Sequence, residues 1–191
     1  MKQGARGFTI VELLIVIVVI GILAAISVVA YNGVTRNAQN TKTIQAVSQW
    51  VRILNLYKSE NGSFPSMISC LGASSEYGRG FSGNESTGPQ CRQDNATSGV
   101  SVYSVFQSAM NQYMSGEGPT PSMVTSGSAA YPWYRGAYFH PAYPGAPARI
   151  DYILKGSSTP CDYIGGAVTM GRAPHVESDT VRCSARLEPT P

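Results

Sequence analysis

The chain has 191 residues, of which 43% are hydrophobic and only 13% charged, with a formal net charge of +3. The length suits one domain with room for an appended element, the apolar share allows a true core, and the charge is too low for charge-driven disorder and too small to mark a nucleic-acid binder. Gly and Pro together make 32 residues (20 and 12), so much of the chain is turn and loop.

Charge is unevenly placed. Lys2 and Arg6 give the first seven residues +2; Arg36, Lys42, Arg52 and Lys58 against Glu12 give residues 8–58 +3; eight basic against ten acidic residues leave 59–191 at −2. Residues 8–31, FTIVELLIVIVVIGILAAISVVAY, form an apolar run interrupted by Thr9, Glu12 and Ser27. About 20 such residues span a bilayer. A secretory signal peptide has a shorter apolar region and a small-residue cleavage site after it, and Ala24-Ala25 lies inside the run instead. A plain membrane anchor fits the length but leaves Glu12 unexplained, since a charge inside a membrane helix costs about 2.5–3.5 kcal/mol on insertion scales. No Lys, Arg or His lies within the run. A cut just before Phe8 would create an α-amino group at similar depth, and that cation can partner Glu12.

This N-terminus resembles that of type IV prepilins: a short basic leader ending in Gly7, then Phe8, then a hydrophobic helix whose fifth residue is Glu12. The resemblance implies a prepilin peptidase that cuts after Gly7 and methylates the amine of Phe8. It implies passage through an inner-membrane assembly platform and packing of the mature helix with its copies into a filament core. The family often carries a late helix proline, absent here, where Val29 stands in its place; Gly21 matches the glycine at which the family's melted segments begin. Basic residues flank the run on both sides, so their count does not orient it; the family leader places the N-terminus in the cytoplasm.

The polar stretch 32–43 continues the helix. Ile44, Val47, Trp50, Val51, Leu54 and Tyr57 then recur at three- and four-residue steps, a wide apolar face on a helix running to Lys58. From Phe8 to Lys58 it would be about 75 Å long, of which a bilayer takes about 30 Å. Tyr57, Asn61-Gly62 and Phe64-Pro65 form an exit that also resembles the end of the long helix in pilins and pseudopilins. Residues 66–98 read as Gly/Ser-rich loop, 100–114 as a short helix despite the alternation at Val100–Val102, and 116–136 as turns. Strand-like runs follow at 137–143, 148–155, 164–170 and 180–187. The fold expected is α+β: a leader (1–7), a transmembrane or filament-core helix (8–31), its continuation (32–58), and an extracytoplasmic head (59–191) whose small antiparallel sheet packs on the stem.

Cys70, Cys91, Cys161 and Cys183 all lie in the head, without a CxxC pair. An even number in an exported head favours disulfides, and three connectivities are open. The sequential one is expected. Cys70–Cys91 would staple the Gly/Ser-rich loop; Cys161–Cys183 would tie the last strand to the sheet, as the resemblance to pilins implies for a C-terminal disulfide loop.

No G-x-S-x-G, HExxH or P-loop is present, and no catalytic residue, metal or cofactor is assigned. His140 and His175, each beside a proline, read as surface loop. Asp151, Asp162, Glu177 and Asp179 read as solvated carboxylates, with a weak calcium site as the competing reading. The cluster Tyr131, Trp133, Tyr134, Tyr138, Phe139 and Tyr143 reads as sheet core and subunit contact rather than a stacking surface for sugars or bases; the acidic head disfavours nucleic acid as the main partner. The resemblance therefore implies a non-enzymatic subunit of a homo-oligomeric helical filament. It would be held in the bacterial cytoplasmic membrane as a single-pass precursor, then in an extracellular pilus for adhesion, motility or DNA uptake. The competing readings are a type II secretion pseudopilin and a minor pilin acting as tip adhesin or DNA receptor.

Overall fold

A computed structural model describes residues 8–77, 89–94, 98–127, 133–161, 164, 168–172 and 179–187. In chain order they form α1 (Ile10–Asn61), β1 (Ser69–Cys70), a 3-10 turn (Ser74–Glu76), β2 (Gln90–Gln93), β3 (Gly99–Ser101), α2 (Ser104–Met110), β4 (Thr125–Ser126), β5 (Trp133–Arg135), β6 (Ala137–His140), β7 (Arg149–Lys155), β8 (Val168–Arg172) and β9 (Thr180–Arg186). A long helix followed by small antiparallel sheets is the α+β arrangement the sequence predicts. The chain divides into two compact units, one ending at Ala38 and the other beginning at Gln39.

In the first unit α1 runs unbroken through Gly21 and Gly33. Its large apolar side chains are exposed on every side, with Ile10 86%, Ile17 58% and Ile26 62% accessible. A helix apolar all round is stable only in lipid or among other helices, and this one is long and apolar enough to cross a membrane. Its hydroxyls are satisfied locally: Ser27 donates to the Leu23 carbonyl (2.8 Å) and Thr35 to that of Tyr31 (2.9 Å), the backbone-directed bonding that lets Ser and Thr sit in such helices.

In the second unit the predicted face of α1 is the buried one. Val47, Trp50 and Leu54 are fully inaccessible, and Ile44 and Tyr57 are partly so. They pack on α2 through Phe106 and Met110, and on one face of a five-stranded sheet, order β1-β6-β7-β9-β8, through Phe139, Ile150, Tyr152, Leu154, Val181, Cys183 and Ala185. Trp50 donates its indole N–H to the Pro119 carbonyl at 2.7 Å. The exit from α1 is built as its residues demand. Gly62, at φ 76°, donates to the Lys58 carbonyl (2.8 Å) and closes a left-handed cap. Asn61 bonds the Tyr57 carbonyl (2.9 Å), Tyr57 stands edge-on to Tyr113, and Lys58 lies over the Phe64 ring. Near the other end of this segment Asn40, nearly inaccessible, uses its amide as a strand would. It donates to the Lys155 carbonyl (2.9 Å) and accepts from the Lys155 N–H (2.8 Å).

A second sheet, order β3-β2-β5-β4, was not expected from the sequence. It draws β2 from the segment read as loop, β3 from the alternating Val100–Val102 region, and β4 and β5 from the segment read as turns. Tyr134, Val100 and Cys91 from this sheet pack with Tyr138 and Ile153 of the first into a second, smaller core. The first sheet is thus covered on both faces, and β7 is buried from Ile150 through Leu154.

Candidate functional site

Gly7, with Lys2 and Arg6, lies outside the described residues, as do His175, Asp162, Glu177 and Tyr131. Phe8 is 87% exposed and precedes the helix. Thr9 occupies the position before the first helical residue and its carbonyl accepts from the Leu13 N–H (3.3 Å). The Glu12 carboxylate accepts from both the Thr9 N–H (2.9 Å) and the Thr9 hydroxyl (2.7 Å), while the Glu12 N–H donates back to the Thr9 Oγ1 (3.2 Å). This is a reciprocal capping box, in which residues three apart satisfy each other's helix-start donors. The Thr-x-x-Glu signature was present in the sequence. It was missed because a charge inside an apolar run draws attention to a distant cation instead of a neighbouring hydroxyl. Glu12 thus has local donors within one chain, and an amine at Phe8 would be an additional partner.

The four cysteines form two bonds, Cys70–Cys91 and Cys161–Cys183, closing separations of 21 and 22 residues. The first does more than staple a loop, because it joins β1 of one sheet to β2 of the other. Cys70, Cys91 and Cys183 are fully buried. Replacing both Cys161 and Cys183 by Ser is expected to lower the unfolding free energy by about 3 kcal/mol on the chain-entropy account. A urea titration of the oxidised wild-type and double-variant proteins reads the difference directly.

Asp151 corrects the reading of solvated carboxylates. It is 1% exposed, accepts from the Ser184 hydroxyl and the Tyr138 phenol, and pairs with Arg149 at 3.3 Å. The second sheet covers the face that alternation assigned to water. Burial, and after it the charge of Asp151, push the Tyr138 phenol well above its usual range. Asp179 accepts from the Ser157 N–H at 2.9 Å. No three His, Cys, Asp or Glu side chains gather into a metal-binding group among the described residues. His140 is not in a loop; it ends β6, with its ring 5.3 Å from that of Tyr143. The aromatic cluster divides: Phe139 joins the α1 core, Tyr134 and Tyr138 join the inter-sheet core, Trp133 is half-buried, and Tyr143 is exposed.

Residues 2–28 match the model of the prokaryotic N-terminal methylation motif, so the N-terminal segment is of the prepilin type. The chain is similar to the type II secretion system core protein G of Dickeya chrysanthemi, 33% identical over 73 residues that make 38% of this chain and 48% of that protein. It is also similar to the fimbrial protein EcpC of Eikenella corrodens, 37% identical over 34% of this chain and 42% of that one. The type IV major pilin protein PilE1 of Neisseria gonorrhoeae is 27% identical over 61% of this chain and 67% of its own length. The chain thus spans less than half the length of the first two of these relatives. No solved structure matches.

Proposed function

We propose that the chain is a structural subunit of a bacterial type IV pilus, cut after Gly7 by a prepilin peptidase, methylated on Phe8 and assembled through its N-terminal helix into a surface filament. One observation carries this reading: a prepilin-type N-terminus opens a helix that is apolar on every face and belongs to the same chain as a disulfide-linked head. A helix of that kind needs lipid first and other helices later, and the match to the methylation motif supports processing between the two states.

The second reading, a pseudopilin of a type II secretion system, is favoured by the similarity to core protein G at an identity comparable to that of the fimbrial relatives. Both readings share the cleavage. The assembled chain is expected to have 184 residues, the 191 less the leader, and net charge +1 once Lys2 and Arg6 are gone. Intact-mass analysis of sheared surface fibres checks this: a methylated chain beginning at Phe8 as the main component supports the pilus. The same chain confined to the membrane, in cells that lose protein secretion without it, supports the pseudopilin. A chain retaining Lys2 or Arg6 in fibres rejects both.

A further inference from the structure

Strand register assembles a row of basic side chains across the first sheet. His140 pairs with Arg149, and Arg149 pairs with Arg186, across β6, β7 and β9. Directly opposed residues share a sheet face, so the three groups lie on the face away from α1, spread over about 10 Å at ordinary strand spacing. Two guanidiniums directly opposed are destabilising unless something negative stands near them. Arg149 has Asp151 at 3.3 Å and the Tyr143 hydroxyl. Asp151 is already shared with Ser184 and Tyr138. Arg186, half-buried at the end of β9, has no ion pair among the described residues. Burial first holds the His140 imidazole toward its neutral form; the Pro141 carbonyl and the charge of Asp151 oppose this, and the charges of Arg149 and Arg92 add to it.

His140 also belongs to a mostly apolar groove of about 460 Å³, lined with Ser66, Met67, Ile68, Tyr103 and Pro141. Tyr103 is 42% exposed there, and Tyr143, 50% exposed, stands against the His140 ring. The juxtaposition has the chemistry of a sugar site with an acid at one end. The ring faces take the C–H face of a pyranose, and Ser66 and Tyr103 meet its hydroxyls. The Arg186 guanidinium presents the planar fork that suits a carboxylate.

We propose that this groove and its basic row bind an acidic polysaccharide whose sugars carry carboxylates. The charge balance selects this ligand over a nucleic acid. Residues 59–191 are net −2, which opposes a duplex carrying one charge per about 1.7 Å, whereas a uronate chain has sparser charge and needs only the local row. A neutral glycan would leave Arg186 unused. The inference concerns the head and stands whether or not the chain polymerises.

The test uses the full chain in detergent micelles and trigalacturonate as the probe, with binding followed by titration calorimetry. Binding is expected to weaken about tenfold in Arg186→Gln, the loss of one charge-assisted bond. It is expected to weaken severalfold in Tyr103→Ala and to fall by a similar factor when the probe's carboxylates are methyl-esterified. Tyr103 is exposed and Arg186 ends its strand, and the unfolding curves of both variants are measured alongside. Equal affinity for the methyl ester, wild-type affinity in Arg186→Gln, or no binding up to millimolar probe overturns the proposal. Tighter binding of an oligo-thymidylate than of trigalacturonate also overturns it and makes the row a nucleic-acid contact.

Discussion

Glu12→Ala is expected to give processed, membrane-resident protein and few or no fibres. Removing the carboxylate makes the apolar run more apolar, so residence in the bilayer is kept. In the filament proposed above, the same carboxylate would be attracted to the Phe8 amine of a neighbouring copy shifted by about one turn, and in a low-dielectric core that attraction would be strong. Without it, a helix of repeating Val and Ile has many near-equivalent registers. The capping box complicates the reading, because Glu12→Ala also removes the bonds to Thr9, a helix-start loss of about 1 kcal/mol. Glu12→Gln separates the two causes. Gln can serve in a capping box but carries no charge, so it is expected to lose fibres as Ala does. Electron microscopy of negatively stained cells counts the fibres. Wild-type numbers in Glu12→Gln would show that the cap, and not the charge, sets the register.

Trp50→Ala is expected to lower the unfolding free energy of the head by about 3–5 kcal/mol, a third or more of the 5–15 kcal/mol typical of a domain. The indole is fully buried, lies 6.0 Å from the Phe106 ring centre and satisfies the Pro119 carbonyl. The 114–119 segment is shaped around it: a Cβ on Gly118, which holds φ 80°, would meet the Trp50 ring at 2.7 Å. Trp50→Phe keeps much of the volume and leaves that carbonyl unpaired, so its expected cost is smaller, about 1–3 kcal/mol. Urea unfolding followed by the fluorescence of Trp133, the second of the two tryptophans, reads both variants. Equal losses would assign the role of Trp50 to the hydrogen bond alone.

What could be read from the sequence was what local periodicity controls. The apolar face Val47–Trp50–Leu54 and the exit at Asn61-Gly62 stand where their spacing puts them, because a helix face and a left-handed cap depend on residues a few positions apart. The runs that became β6, β7 and β9 were visible for the same reason. The second sheet was not, because β2 is Gln-Cys-Arg-Gln and β4 is only two residues long. Their burial depends on cross-strand partners such as Tyr134 opposite Arg92, far away in the chain. Asp151 was misread as a consequence: in Arg-Ile-Asp-Tyr-Ile-Leu-Lys the alternation is real, but the face it assigns to water is roofed by residues that alternation cannot see.

The grip of Asn40 on Lys155 has a mechanical meaning. Part of any force drawn along the helix enters the sheet through one amide that holds the N–H and the C=O of a single residue, and the rest through the packing of Val47, Trp50 and Leu54. Both bonds share that part of the load. Lys155 ends β7, and β7 is laced to β6 over four positions and to β9 over seven. The tension is therefore delivered to an interior strand and divided between two ladders, one of which contains Cys183 and its covalent tie.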